Sequence, residues 1–410
     1  MRIAVLTLGC KTNQAESNYI KNAAVGSGHL IVTLKDSPDI CIINTCTVTA
    51  KSDYQSRQII RRALKTGARV LVTGCYSEIS ADEVTAISPD LKIIANQQKS
   101  NIINILGINT ETVSLNYFPD RSRPFVKIQD GCNYSCSYCT IPKARGHSVS
   151  RPVEEIAGEI SMLESNGFAE VVLTGIHIGH YGYDLEPKAS LSLLLDNILT
   201  YTNKIRIRLS SIEANEIDDH LLKLLSDKRV CPHLHIPLQS GDDLILKQMK
   251  RPYSRLYYIN KAQEILKRSP GIAIGTDIIV GFPGEGKAEF LNTSRLVEEI
   301  PFSYLHIFPY SDRPGTLSAS MPDQVSPEIR KARAQVLKKV DNDKRTAFRH
   351  AQIGRSLNVV CEKRLWNGLY KGKSENYLNV YFANTHCQHG RLVSIRVSEG
   401  FQDGLLGTSL

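Results

Sequence analysis

The chain has 410 residues, a formal charge of +9, 42% hydrophobic and 22% charged residues, which is ordinary globular composition. That length exceeds a single core and predicts two or three domains. No apolar run approaches the roughly 18 residues of a membrane helix, and Arg2, Ile3-Ala4-Val5-Leu6 and Gly9-Cys10-Lys11 read as a first strand and turn rather than a signal peptide. A cytoplasmic protein with no membrane partner is expected, whose ten cysteines serve as ligands rather than disulfides.

Residues 1–115 alternate short, continuously apolar strands (3–8, 39–44 and 69–73) with helical stretches such as 50–65. This pattern predicts a parallel sheet, in which ligands bind beyond the carboxyl ends of the strands. Residues 118–348 alternate again, with strands at 125–128, 170–174, 204–209, 233–237, 272–280 and 304–308 and a closing basic helix at 328–350. That predicts an incomplete (β/α) barrel. Residues 351–410 turn β-rich, with strands at 357–362, 376–382 and 391–399, and predict a small antiparallel barrel. Between 328 and 364 eleven lysines and arginines face four carboxylates. Such a run is either a solvated helix face or a footprint for a phosphate backbone.

The chemistry lies in the cysteines. Cys132, Cys136 and Cys139 form a CxxxCxxC loop after the first barrel strand. Three thiolates at this spacing hold three irons of a 4Fe–4S cluster and leave the fourth open to a small molecule. A zinc site would need a fourth ligand, for which His147 is the nearest candidate. Cys10, Cys46 and Cys75 each fall just past a predicted parallel strand. If those strands are neighbours, the thiols converge into a second three-cysteine site. Cys41 lies inside a strand and reads as a buried small hydrophobe, while Cys231, Cys361 and Cys387 have no partner at useful spacing and read as structural.

The loop, with Tyr138 before its last cysteine, resembles the radical-SAM superfamily. There the open iron binds S-adenosylmethionine (SAM), whose cleavage yields a 5′-deoxyadenosyl radical. The resemblance implies an adenine contact for Tyr138 and further SAM contacts from strand-end segments: Thr174 and Gly175; Ser211 and Glu213; His235 and Gln239; Asp277. Gly9-Cys10-Lys11-Thr12-Asn13-Gln14, Asn44-Thr45-Cys46-Thr47 and Thr73-Gly74-Cys75 resemble the methylthiotransferases. With them the resemblance spans all three sections, and the terminal barrel becomes a TRAM domain, an RNA-binding module. It implies two 4Fe–4S clusters, one on Cys10, Cys46 and Cys75 and one on Cys132, Cys136 and Cys139. One SAM then methylates a sulfur and a second generates the radical.

Lysine after Cys10, and the segment Phe125-Val126-Lys127-Ile128-Gln129-Asp130-Gly131-Cys132, resemble the subgroup that acts on threonylcarbamoyladenosine beside the tRNA anticodon. Thr12 and Ala15 depart from the valine and aromatic expected there. The expected partners are the tRNA anticodon stem-loop and a reductant protein, with a monomer as the starting expectation. Two alternatives stand beside this reading. One is methylthiolation of isopentenyladenosine in tRNA; the other is a non-catalytic Fe–S or zinc RNA-binding protein.

Overall fold

Five parallel strands build the first unit: β1 (Arg2–Thr7), β2 (Leu30–Ile31), β3 (Ile40–Thr45), β4 (Arg69–Gly74) and β5 (Lys92–Ile93), in the order β2-β1-β3-β4-β5. The computed structural model describes residues 1–108, 121–383 and 387–410, so the boundary expected at 115–118 lies outside the described residues. Strand β3 is buried along its whole length: Ile40–Ile43 are apolar, and the buried Asn44 and Thr45 donate to Asn13 O (3.0 Å) and Thr73 O (2.7 Å). Alternate residues face opposite layers. Ile40 and Ile42 pack with Ile20, Ala23 and Ala24 of helix α1 (Lys11–Gly26), whereas Cys41 and Ile43 pack with Ile60 and Ala63 of helix α2 (Ala50–Leu64). Cys41 is thus the buried hydrophobe its position foretold.

The second unit carries β6 (Phe125–Lys127), β7 (Gln129–Asp130), β8 (Val149–Ser150), β9 (Glu170–Thr174), β10 (Arg206–Leu209), β11 (His233–His235), β12 (Ala273–Val280) and β13 (Tyr304–Pro309). Strands β6, β9 and β10 pair in parallel, as do β11, β12 and β13. Backbone bonds from Cys231 N to Ile207 O (2.8 Å) and Ile212 N to His235 O (3.0 Å) join the two halves. Among the described residues β13 does not pair back to β6, which leaves a six-stranded open barrel. The short antiparallel pair β7–β8 brackets the cysteine loop.

The third unit is a closed barrel of β14 (Ser356–Arg364), β15 (Tyr370–Ser374), β16 (Asn379–Ala383), β17 (Leu392–Phe401) and β18 (Gly404–Ser409). It has two strands more than the sequence pattern predicts. Strands β15 (YKGKS) and β18 (GLLGTS) carry glycines that dilute the β signal. Strands β16 and β18 run parallel, an exception in an otherwise antiparallel barrel. Cys361 and Cys387 were expected to be unpartnered, but the barrel joins them as a disulfide pair. Their 26-residue separation hides that proximity, which arises only when β14 and the segment before β17 meet.

A buried ionic cluster docks this barrel on the open one. Glu170 of β9 is fully buried and accepts from Arg206 (2.7 Å) and Arg208 (2.7 Å) of β10. The same guanidiniums donate onward to Asn358 O (2.9 Å), Glu375 O (2.8 Å) and Ser374 O (2.9 Å) of the terminal barrel. Burial opposes the charge on Glu170, but Arg208, Arg206 and Arg123 hold its carboxyl well below the usual range. Replacing Glu170 with leucine strands two buried cations. The expected cost is about 3–5 kcal/mol of stability, read by urea unfolding at neutral pH. Because the folded pKa is depressed, this contribution is complete above roughly pH 4.3, the unfolded value, and is lost as pH falls toward the folded one. Acid–urea titrations of the native chain and of E170L should therefore converge at low pH.

Candidate active site

Strands β1, β3 and β4 are adjacent, so the turns that follow them share one crest. Cys10 precedes α1 as its cap residue, Cys46 follows β3 directly, and Cys75 opens the short helix Cys75–Ile79 after β4. A Cβ on Gly9 would lie 2.7 Å from both Cβ and Sγ of Cys46, which places Cys46 against the Cys10 turn. Burial pushes the Cys46 and Cys75 thiols up, and the charge of Cys10 adds to both, as that of Cys75 does at Cys46. Asn13 ties the crest together, donating to Leu8 O (2.7 Å) and Thr45 O (2.9 Å).

The barrel loop places Cys132, Cys136 and Cys139 around one cavity of about 340 Å³, with Asn133, Lys143 and Thr316 also on its walls. Donors converge on these sulfurs. The amides of Tyr134 and Ile141 reach Cys132 and Cys139 at 3.4 Å, and Arg251 reaches Cys136 at 3.6 Å. His177 Nδ1 lies 3.4 Å from Cys132 and its Nε2 is 2.5 Å from Glu216. Burial opposes a charge on this imidazole, but its bonds to Cys132 and Glu216 push its pKa up to about 9. Burial pushes the Cys139 thiol up to about 12. Ligation or nearby cations must offset that cost before a thiolate persists.

The donor sets suit a cluster rather than a single ion. Tetrahedral zinc with bonds of about 2.3 Å would hold its sulfurs about 3.8 Å apart. Among the described residues, the groups of three whose ligand atoms lie within 4.8 Å of one another are His177–His180–Glu216 and His235–Asp277–His306. Neither cysteine trio, with or without His147, closes that tightly. His147 instead sets its Nδ1 3.3 Å from Asn133 Oδ1. Wider all-thiolate sites with donors aimed at the sulfurs are what an Fe–S cluster requires.

Arg145 connects the two trios. It ends the helix Ile141–Arg145 just after Cys139, yet its Nε lies 3.2 Å from Cys75 Sγ. It also pairs with Glu16 of α1 (2.9 Å) and Asp130 of β7 (2.8 Å) and donates to Asn13. Lys127 bridges Glu16 (3.1 Å) and Asp130 (3.0 Å), and Lys99 pairs with Glu16. Burial opposes ionisation of Glu16, but Lys99, Arg145 and Lys127 hold it well below the usual carboxylate range.

The residues expected at SAM fall into two groups. Tyr138 packs beside Phe282 and Met249, Thr174 is buried at the end of β9, and Gly175 abuts Gln129, where a Cβ would lie 2.9 Å from Oε1. Glu213 pairs with Arg251, the arginine at Cys136. His235 and Asp277 bond to each other (2.9 Å) and to Tyr304 (3.1 Å) and His306 (3.2 Å). Ser211 bridges to His235, and Gln239, at φ 67°, binds Asp277 O through its backbone amide (2.8 Å). Sequence reasoning missed Arg145, Arg251, Glu16 and His177. None sits at a motif spacing, and lone charged residues carry no sign of burial. Gln129 was visible only as part of a motif. It is buried and donates to Gly131 O (2.7 Å) and Ser148 Oγ (2.8 Å) while accepting from His177 N (2.8 Å), so it shapes the loop.

Comparison with known proteins decides the class. The Radical SAM superfamily matches residues 126–297, and an otherwise uncharacterised family, UPF0004, matches residues 2–96. The threonylcarbamoyladenosine tRNA methylthiotransferase MtaB of Aquifex aeolicus is 36% identical, over 97% of this chain and 100% of that one. Its namesake from Bacillus subtilis is 35% identical, over 96% and 93%. The chain belongs to the radical-SAM methylthiotransferase family. It is a tRNA methylthiotransferase, and SAM and 4Fe–4S clusters are its cofactors. A tRNA-2-methylthio-N(6)-dimethylallyladenosine synthase of Geobacter metallireducens is 32% identical, over 98% and 96%. Among solved structures, the radical SAM methyltransferase TsrM of Kitasatospora setae shares the fold, with a TM-score of 0.58 and 13% identity over 78% of this chain and 77% of that one. No helix of the described residues is long and apolar enough to cross a membrane.

Gly131 anchors the radical-SAM loop at φ +72°, and a Cβ there would fall 1.8 Å from His147 O. Gly131→Ala should therefore pry the loop from its β7–β8 frame. In the metal-free protein, Cys132, Cys136 and Cys139 should react faster with a maleimide, as mapped by peptide mass spectrometry. Cys231, buried 3.5 Å from Glu170, should remain unlabelled.

Proposed function

We propose that this enzyme adds a methylthio group to carbon 2 of threonylcarbamoyladenosine at position 37, binding the tRNA by its anticodon stem-loop. Cys10, Cys46 and Cys75 hold one 4Fe–4S cluster, and Cys132, Cys136 and Cys139 hold the other. The observation that carries this reading is the direct link between two three-thiol sites: Arg145 leaves the loop of one trio and contacts Cys75 of the other. The choice of base rests on the relatives. Those named for threonylcarbamoyladenosine are 32% to 36% identical, against 29% to 32% for those named for dimethylallyladenosine.

When bound, the clusters supply the electron that cleaves SAM and the sulfur that is transferred. The chain's own residues do the rest. Arg251 and Arg145 set a positive charge beside Cys136 and Cys75 and offset the negative charge of the thiolates. Thr174, Gly175, Ser211, Glu213, His235 and Gln239 at or just past the carboxyl ends of their strands, with Tyr138 on the cysteine loop and Asp277 within β12, hold SAM and the base. Trp366, the one tryptophan of the chain, is 99% exposed at the tip between β14 and β15, beside Lys363 and Arg364. An exposed aromatic flanked by cations is a stacking platform for an unpaired base. Lys331, Lys338 and Lys339, exposed on the helix Pro327–His350, offer further cations to the phosphate backbone. A reductant protein delivers the electron in the cytoplasm, and the chain works as a monomer.

The deciding measurement is the nucleoside profile of tRNA from a strain lacking this protein, in which 2-methylthio-threonylcarbamoyladenosine should vanish. Its persistence, with loss of the methylthiolated isopentenyl base instead, selects the alternative substrate. In the reconstituted enzyme Cys132→Ala should abolish SAM cleavage. Cys10→Ala should retain cleavage and lose methylthiolation. Trp366 fluorescence should be quenched on adding tRNA, and Trp366→Ala should weaken binding by about 5- to 100-fold, the range of one base–aromatic stack.

A further inference from the structure

We propose that the seam between the open barrel and the terminal barrel holds a receptor for one oxyanion of the bound tRNA, formed by Lys373 and Arg349. The inference rests on tRNA as the substrate and not on which adenosine is modified. A cavity of about 110 Å³ opens at this seam, and none of the six ligand cysteines lines it. Its walls come from three elements: Tyr304 and His306 of β13, Arg345 and Arg349 near the end of the helix Pro327–His350, and Lys373 and Asn379 of the terminal barrel.

The fold fixes both cations from opposite sides. Arg208 donates to Ser374 O (2.9 Å) and Glu375 O (2.8 Å), which pins the strand end beside Lys373 to the open barrel. Tyr377 closes the following turn at φ 70°, a conformation that residues with a side chain rarely adopt, and stacks on His233 at 4.4 Å. Lys373 lies 4.7 Å over the Tyr377 ring and hydrogen-bonds to Asn379. Arg349 donates to Thr346 Oγ1 (3.1 Å) on its own helix and reaches Gln402 O (3.4 Å) of the terminal barrel.

The charge on these walls is unbalanced. Among the described residues that line the cavity Asp403 is the one carboxylate, and it is already shared by Lys371 (3.2 Å), Asn379 (2.7 Å) and Tyr381. Arg345 is paired with Asp341 (2.8 Å), and His306 sets its Nδ1 3.2 Å from Asp277. Lys373 and Arg349, by contrast, have only neutral hydrogen-bond partners among the described residues. Two such cations beside the rings of Tyr304, Phe348 and Tyr377 attract an anion more strongly than fully solvated ones do, because the local dielectric is low. The volume sets the size of that anion. It is smaller than the roughly 150 Å³ of a cavity that takes a benzene ring, so a phosphate or carboxylate head enters and a nucleobase does not. A tRNA brings both groups, in its backbone and in the threonyl part of threonylcarbamoyladenosine, and the test separates them.

The reconstituted full-length enzyme and its Lys373→Gln, Lys373→Arg and Arg349→Gln variants are titrated by fluorescence anisotropy at several salt concentrations. The probe is one tRNA in two forms, with adenosine 37 unmodified or carrying the threonylcarbamoyl group. K373Q and R349Q should each weaken binding by about 10- to 100-fold, the range of a charge-assisted hydrogen bond, and K373R should restore most of the loss. An equal loss on both forms, with the slope of log Kd against log salt reduced by about one, assigns the site to a backbone phosphate. A loss confined to the modified tRNA assigns it to the threonyl carboxylate. Unchanged affinity of either glutamine variant for both forms overturns the receptor. So does a loss that K373R fails to restore, or an equal loss with an unchanged salt slope, since each marks a disturbed seam rather than a missing anion contact. A native enzyme that binds neither tRNA overturns the substrate, and this site with it.

Discussion

Buried charge joins the crest that carries Cys10, Cys46 and Cys75 to the loop that carries Cys132, Cys136 and Cys139. Glu16 and Asp130 come from different units, and Arg145 neutralises both while touching Cys75. Lys127 and Lys99 complete the balance. Buried ion pairs contribute little net stability compared with apolar packing of the same volume, but they penalise every geometry in which a member is left unpaired. That penalty suits an interface that must hold one register. Sliding of the first sheet on the barrel would strand at least one charge and move Cys75 away from the loop that carries Cys132, Cys136 and Cys139.

The same device recurs at the other junction. Glu170, Arg206 and Arg208 lie inside the open barrel, and the arginines pass their remaining donors to carbonyls of the terminal barrel. Tyr377 of that barrel stacks on His233 at 4.4 Å and receives Arg208 over its ring at 5.3 Å. The terminal barrel is thereby tied to the wall of the open barrel, rather than hung on a flexible linker.

The basic stretch between 328 and 364 does two jobs. Arg333 pairs with Glu285 (2.7 Å), Arg345 donates to Leu305 O (3.2 Å), Arg330 donates to Tyr310 O (3.0 Å), and Lys344 donates to Ile300 O (2.8 Å). These cations fasten the helix Pro327–His350 to the barrel. Only part of the charge counted in the sequence, including Lys331, Lys338 and Lys339, remains exposed for a phosphate backbone. Charge counting alone cannot make that division, because a cation that glues and a cation that binds look identical in sequence.

The sequence by itself determined the parts that depend on local spacing. The alternation of apolar strands and helices, the CxxxCxxC loop and the three strand-end cysteines were all legible, since strand length and ligand spacing are local properties. Only the tertiary structure decided what depends on distant residues meeting. It made β1, β3 and β4 neighbours, joined Cys361 to Cys387, added β15 and β18 to close the terminal barrel, and left the larger barrel open. It also turned Arg145, Arg251 and Glu16 from unremarkable charges into the frame of the site. The physical reason is the same in each case. A charge or thiol acquires its role from what desolvates and faces it, and here those partners lie far along the chain.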